Sequence, residues 1–341
     1  MANFRRHTGF RATFAPFASI LLLLVAGGCP GNAQQQTQGF AVERFYPSAP
    51  GGGWFVMDDV NISGGLGGVL SFPSGYSRNP FEVTGPDGTG RLALITNQAF
   101  VDVAGAVTYD RYRFYFDLPV PLVVSGNSGT LGPYQLTAPS LNVGMNPDTI
   151  SDPRIGFDMR LLGTPGGVFR LGAGAQLIIP SGDRADYVTD ARYRGMFRLL
   201  PAGNIGRFSY AGQLGLHVRP VEGSLPPGGP TGNELLFGVS GGYKFSVGNA
   251  WSLIVGPELF GETGLHSLFG DQQTGFEGLF TSRLERPGDK PHLRLKLGIG
   301  HGIVENFGAP KWRALIGLEL AGQRRDTGGA SGKANSGTSR D

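Results

Sequence analysis

From about residue 64 onward, apolar and polar positions alternate with a period of two. The stretch HLRLKLGIGHGIV, residues 292 to 304, is the cleanest case: Leu293, Leu295, Leu297 and Ile299 share one parity, and Arg294, Lys296, Gly298 and Gly300 the other. That period is the signature of strands. No amphipathic helical period persists, and no apolar run after residue 33 reaches the ~20 residues a spanning helix needs. The pattern predicts twelve strands, at 64–79, 91–108, 111–125, 152–162, 167–180, 192–200, 207–219, 234–246, 251–262, 276–286, 291–304 and 311–322.

The links between them tend to alternate in length. Short links fall at Tyr109-Asp110, 163–166, Pro201 to Gly206, 247–250 and 287–290, and longer ones rich in Gly, Pro, Asn and Asp fall at 80–90, 126–151, 181–191, 220–233 and 263–275. Short turns at one end and long loops at the other describe an outer-membrane barrel, with the short turns periplasmic. An even strand number then places both termini on the periplasmic side.

A soluble sandwich also alternates, so the character of the faces decides. The polar parity is rich in glycine and sparse in charge, as in a crowded, wet lumen, rather than studded with Lys and Glu. On the apolar parity, Tyr112, Phe169, Phe208, Tyr210, Tyr243, Phe245 and Trp251 lie near predicted short turns, where a headgroup-level girdle belongs. The expected fold is all-β: an antiparallel up-and-down transmembrane β-barrel of about twelve strands. Closure follows because an unpaired backbone group in hydrocarbon costs several kcal/mol.

Composition adds three points. Glycine accounts for 58 of 341 residues, well above the ordinary share of ~7%. The formal net charge of +3, spread along the chain, gives no argument for nucleic acid. The single cysteine, Cys29, rules out an intramolecular disulfide.

Residues 1–33 read as a secretory signal: Arg5, Arg6 and Arg11, then the apolar run Phe17 to Ala26, then Gly31-Asn32-Ala33 as a cleavage site. Ala26-Gly27-Gly28-Cys29 offers lipidation of Cys29 as the alternative processing. Residues 34–63, with Pro47, Pro50 and Gly51-Gly52-Gly53, lie outside the barrel strands as a periplasmic lead-in or small plug. Residues 323–341 are a low-complexity tail.

Candidate chemistry sits on the lumen parity, which includes Arg113, Asp117, Asp158, Arg170, Arg192, Arg194, His217, Arg219 and Glu258. Strand direction puts Arg283, Arg294, Lys296 and Glu319 toward the periplasmic end and Glu262, Glu277 and Arg313 toward the outer end. Such groups either form a charge-selecting constriction or pair with one another and hold the barrel shut.

Other motifs fail on context. Gly238-Val239-Ser240-Gly241-Gly242 matches G-x-S-x-G, but it lies within a strand rather than at a strand-to-helix turn. His266 stands beside Ser267 in a loop, which alone does not make a hydrolase. Asp58-Asp59, and Asp183 with Asp186, lack a calcium-ligand spacing and read as solvated loops. No cofactor or metal is expected.

An ordered series of short pieces resembles the barrel region of outer-membrane proteins of the OmpA-like class. They are Phe40-Ala41-Val42-Glu43-Arg44-Phe45-Tyr46-Pro47, Asp117-Leu118-Pro119-Val120, Ser151-Asp152-Pro153-Arg154-Ile155-Gly156, Pro180-Ser181-Gly182-Asp183, Asn233-Glu234-Leu235-Leu236-Phe237-Gly238 and Gly256-Pro257-Glu258-Leu259-Phe260-Gly261. The resemblance implies an outer-membrane barrel; the class's peptidoglycan-binding domain has no counterpart here. The expected function is a passive pore or transport-related channel, with outer-membrane lipid, the barrel-assembly machinery and small solutes as partners. The alternatives are a closed structural barrel presenting its outer loops, especially 126–151, or a membrane-embedded lipid hydrolase.

Overall fold

The alternating segments form twelve long strands: β1 Leu66–Thr84, β2 Arg91–Tyr109, β3 Tyr112–Ser125, β4 Arg154–Leu162, β5 Arg170–Ile178, β6 Arg194–Ile205, β7 Phe208–Val218, β8 Glu234–Val247, β9 Trp251–Gly264, β10 Thr274–Glu285, β11 His292–Val304 and β12 Trp312–Gln323. The computed structural model describes residues 35–323 apart from 63, 86–87, 146–149, 222–224, 228–231, 271 and 287–291. The expected signal, Cys29 and nearly all of the C-terminal tail lie outside the described residues. Each strand runs antiparallel to the next, and β12 pairs with β1 through Leu318↔Phe72 and Leu320↔Leu70, closing a twelve-stranded barrel. Closure removes the two unpaired edges that an open sheet would present.

Most boundaries differ from the sequence reading by three residues or fewer, and two differ by five. Pro201 suggested a link, yet β6 continues to Ile205, and the turn is Gly206-Arg207, with Gly206 at φ 60°. Strand β1 likewise continues past Asn79-Pro80 through a bulge, with Asn79 at φ 49° and a register shift before Phe81. Bulges absorb a residue without ending pairing. Strands β1 and β2 have 19 residues each, about twice the 9–11 that cross a hydrocarbon layer. Both therefore overshoot the barrel at its long-loop end.

The sheet is inverted relative to a soluble protein. Outward positions are apolar and exposed: Phe114 is 61% and Ile299 63% accessible, joined by Leu70, Val107, Ile155, Leu199, Leu214, Val239, Phe280 and Ile316. Inward positions hold the charges, among them Arg113, Asp158, Arg170, Glu258, Lys296 and Arg313, all buried. Exposed aromatics Tyr112, Phe169, Phe208, Tyr243 and Phe245 ring the short-turn end, where they match a headgroup-level girdle.

Residues 35–62 of the N-terminal segment run inside the barrel and fill its lumen. Gln35 and Gln36 pair with Tyr134 and Gln135 in the long β3–β4 connection. Further along, Glu43 meets Arg313 near the long-loop end of the wall. At the far end, Asn61 accepts a hydrogen bond from the Gly166 amide in the short β4–β5 link, and the Ile62 carbonyl accepts one from Arg160. Residue 35 thus stands at the end opposite to that where β1 begins and β12 ends.

Burial explains why the segment stays inside. Phe40, Val42, Trp54, Phe55, Met57 and Val60 are fully enclosed, and enclosing such side chains is worth about 1.5–3 kcal/mol each. Their seats are wall glycines. A Cβ on Gly242 would stand 2.6 Å from the Trp54 ring, on Gly298 2.9 Å from Phe55 and on Gly172 2.7 Å from Val60, and one on Gly238 would strike Met57. The glycine-rich inner face is therefore a cradle for the segment rather than the lining of a wet pore.

Candidate functional site

The plug, residues 35–62, is held by backbone and charge together. Glu258 projects inward from β9, fully buried, and its carboxylate accepts the amides of Phe55 at 2.9 Å, Val56 at 2.9 Å and Met57 at 3.1 Å, plus the Thr281 hydroxyl at 2.7 Å. Consecutive amides converging on one anion make a nest. Charge-assisted bonds of this kind are worth about 1.5–3 kcal/mol each.

Toward the short-turn end, Arg113 donates to Asp158 at 2.6 and 3.1 Å and also pairs with Asp58 of the plug. Asp59 faces Arg283 at 3.5 Å, and its backbone carbonyl accepts from Arg170. Both aspartates are buried and partnered, so the reading of Asp58-Asp59 as a solvated loop is wrong. A Gly-rich neighbourhood suggests exposure only when no wall surrounds it. Lys296 donates to Glu319 at 2.8 Å and to the Trp54 carbonyl at 3.1 Å, while Arg294 bonds Glu319 at 2.6 Å and Glu285 at 3.3 Å. Arg283 also contacts Glu285.

Toward the long-loop end, Arg313 is shared between Glu277 on the wall and Glu43 of the plug, each at 2.9 Å. Glu262 lies 3.2 Å from Arg44 of the plug and 3.3 Å from His217. Thus Arg283, Lys296, Glu262 and Arg313 engage the plug directly, Glu319 and Glu277 bind groups that do, and Arg294 stands one step further off, on Glu319 and Glu285. Arg294 and Lys296 share Glu319, with Arg283 joined through Glu285, at one end; at the other Glu277 bonds Arg313, while Glu262 sits in a separate cluster with Arg44 and His217. Arg192 is the exception among the lumen charges: β6 starts at Arg194, and Arg192 is exposed on the preceding connection.

Sequence reasoning missed Asp102, Arg154 and Glu234 on the wall and Glu43, Arg44, Asp58 and Asp59 on the plug. Arg154 bonds Asp102 at 2.8 Å and also pairs with Asp117. It shares parity with Asp158, so extending the alternation two steps back would have found it.

At the long-loop end, Asp190 bonds Arg219 at 2.5 and 2.7 Å and accepts the Ala41 amide at 2.8 Å. Burial alone would raise its carboxyl, but Arg219, and after it Arg194, hold it below the usual carboxylate range. Nearby, burial pushes the Tyr187 hydroxyl up to about 12.

Little of the middle of the lumen is open. A cavity of about 60 Å³ lies between Tyr46 and the wall residues Gln98, Asp102 and Arg154, whereas the short-turn mouth widens to about 360 Å³ beside Asn61, Arg113 and Arg294. Ser240 of the G-x-S-x-G match is buried on β8, and its hydroxyl donates to the Ala211 carbonyl at 3.4 Å rather than to a histidine.

No protein-family model matches the chain, and no curated protein does. Among solved structures, an outer membrane channel from Pseudomonas putida F1 is similar at 15% identity and TM-score 0.46, over 76% of this chain and 96% of that one. The NanC porin is similar at 6% identity and TM-score 0.42, over 75% of this chain and 100% of that one. The translocator domain of the autotransporter NalP from Neisseria meningitidis is similar at 9% identity and TM-score 0.40, over 76% and 88%.

Proposed function

We propose that this protein is an outer-membrane, transport-related barrel whose lumen is closed at rest by its own N-terminal segment, so that solutes pass only when the segment yields. The outward apolar belt supports the membrane location: Phe114, Phe116, Ile155, Phe197, Leu214 and Ile299 form an exposed surface that a water-soluble protein does not present. In this reading the short turns are periplasmic, the long loops face out, and residue 35 lies near the outer face. The Glu258 nest on Phe55, Val56 and Met57 carries the closed state, because it fixes plug backbone to wall at mid-lumen. Once the plug is displaced, Arg283, Arg294, Lys296 and Glu319 at one end and Glu262, Glu277 and Arg313 at the other line the path and act on the charge of what passes.

Planar-bilayer recording tests this. Wild-type protein rests closed with rare openings, and Glu258→Ala opens into frequent discrete steps. In that variant Arg294→Glu shifts ion preference toward cations. Silence from both wild type and Glu258→Ala would instead favour a closed structural barrel, a reading that the paired state of the lumen charges also supports.

A further inference from the structure

We infer that His217, Glu234 and Glu262 form a site for a first-row divalent cation, and that Arg44 of the plug competes with that cation for the two carboxylates. Three neighbouring strands build the site. His217 near the end of β7 is the register partner of Glu234 at the start of β8, and Glu262 on β9 is paired with Leu236, two residues further along β8. All three side chains point inward and are buried.

Their donor atoms lie within 4.8 Å of one another. His217 Nδ1 is 3.3 Å from Glu262 Oε2 and 3.4 Å from Glu234 Oε2. Bond lengths of about 2.0–2.2 Å to nitrogen and oxygen put neighbouring ligands of a tetrahedral ion roughly 3.3–3.5 Å apart, so these two edges have the required length. One imidazole with two carboxylates suits zinc or manganese, whereas calcium takes a larger set of oxygens.

The protein's own contacts leave the triad short of partners. Among the described residues, Glu234 Oε2, Glu262 Oε1, His217 Nε2 and Arg44 Nε make no hydrogen bond, although each is buried. Arg44 supplies the positive charge instead, with Nε 3.2 Å from Glu262 and Nη2 3.4 Å from Glu234. Arg219 reaches Glu234 at 2.9 Å but is shared with Asp190. Withdrawing Arg44 therefore leaves two buried carboxylates under-neutralised, which a divalent ion corrects. A guanidinium that stays charged and a metal ion in the same few ångströms exclude each other.

The site stands on wall residues alone, while its link to opening rests on the plug reading, so two measurements separate them. In the first, the full chain folded in detergent micelles is titrated with Zn²⁺ against a chelating indicator. Arg44→Ala binds one equivalent about tenfold or more tighter than wild type, in the range of an ordinary coupling between sites. Adding His217→Ala, or the near-isosteric Glu262→Gln, to Arg44→Ala abolishes the gain. Heat-modifiable migration verifies that each variant is folded. Absence of one-equivalent binding in Arg44→Ala, or binding that survives both ligand substitutions, overturns the site, and equal affinity in Arg44→Ala and wild type overturns the competition with Arg44. In the second, Zn²⁺ raises the open fraction of wild-type protein in a bilayer; binding without any change in openings retains the site and refutes its competition with the closed plug.

Discussion

Strand β2 carries Leu94 and Asp102 on its buried side, yet the two residues live under opposite rules. Asp102 belongs to the band where the barrel is inverted: charges inside, apolar side chains outside. Leu94 belongs to the overshoot at the long-loop end, where Phe81, Val83, Leu94, Ile95, Val124 and Leu141 close around Phe40 and Val42 of the plug as a soluble protein closes around its core. Phe40 meets Phe81, Tyr187 and Phe307 edge-on, with centroids 5.3 to 6.5 Å apart. What the outer surface touches accounts for the difference. Where it meets hydrocarbon, apolar residues must face out and the wall offers the plug charged partners beside small apolar seats such as those of Trp54 and Phe55; where it meets water, the ordinary arrangement returns.

Equal losses of stability in the two regions should therefore have different causes. Arg113→Ala in the band strands Asp58 without a cation and leaves Asp158 with Arg198 alone, at 3.5 Å, and we expect a loss of about 3–5 kcal/mol by urea unfolding in lipid vesicles, the cost of breaking a buried pair. Phe40→Ala at the long-loop end removes an enclosed ring and costs a similar ~3–5 kcal/mol by leaving a cavity. Restoring bulk separates them: Arg113→Met fills the space yet recovers little, while Phe40→Leu recovers most of its loss. If Arg113→Met proves as stable as wild type, the band is held by packing and the contrast collapses.

The outer surface gives a smaller and more discriminating effect. Ile299 is exposed on β11, so in water Ile299→Arg changes stability by no more than about 0.5 kcal/mol. Facing hydrocarbon near mid-depth, the same substitution costs about 2–4 kcal/mol. Folding yield and urea midpoint in vesicles report which holds, and a neutral result removes the lipid face from β11.

Much of this was legible in the sequence, because alternation is local. The parity of 292 to 304 placed Leu297 and Ile299 outside and Lys296 inside, and the opposed ends of the lumen followed from strand direction. For residues 34–63 a plug was only one of two readings, beside a periplasmic lead-in, and nothing local chose between them. Residues 35–62 have no period, their burial comes from a wall that lies up to 200 or more residues away in sequence, and Asp58-Asp59 beside a glycine run looks the same whether solvated or enclosed. Glu258 could be assigned to the lumen by parity, but nothing local announces that it receives three amides. No family model supports the OmpA-like resemblance; of its pieces, Phe40 to Pro47 is plug, Glu234 and Glu258 contact the plug at Arg44 and Val56, and Asp117 and Asp152 each pair with a buried wall arginine.

The smallest effect bears on why the wall is so rich in glycine. A Cβ on Gly298 would meet the Phe55 ring at 2.9 and 3.1 Å, with Leu315 next at 3.5 Å, so the ring is the obstacle and the backbone is not. Gly298→Ala should cost about 1–3 kcal/mol, as overpacking does. In a soluble strand the same change would be neutral or favourable, since alanine loses less chain entropy than glycine. Phe55→Leu alone should cost less than Phe55→Ala, and combined with Gly298→Ala it should return most of the glycine's loss. A coupling of about 0.5–3 kcal/mol between the two positions in a double-mutant cycle is the expected reading. Strict additivity would mean that Gly298 is small for the sake of the strand itself, and that the cradle is a by-product of its curvature rather than a seat for the plug.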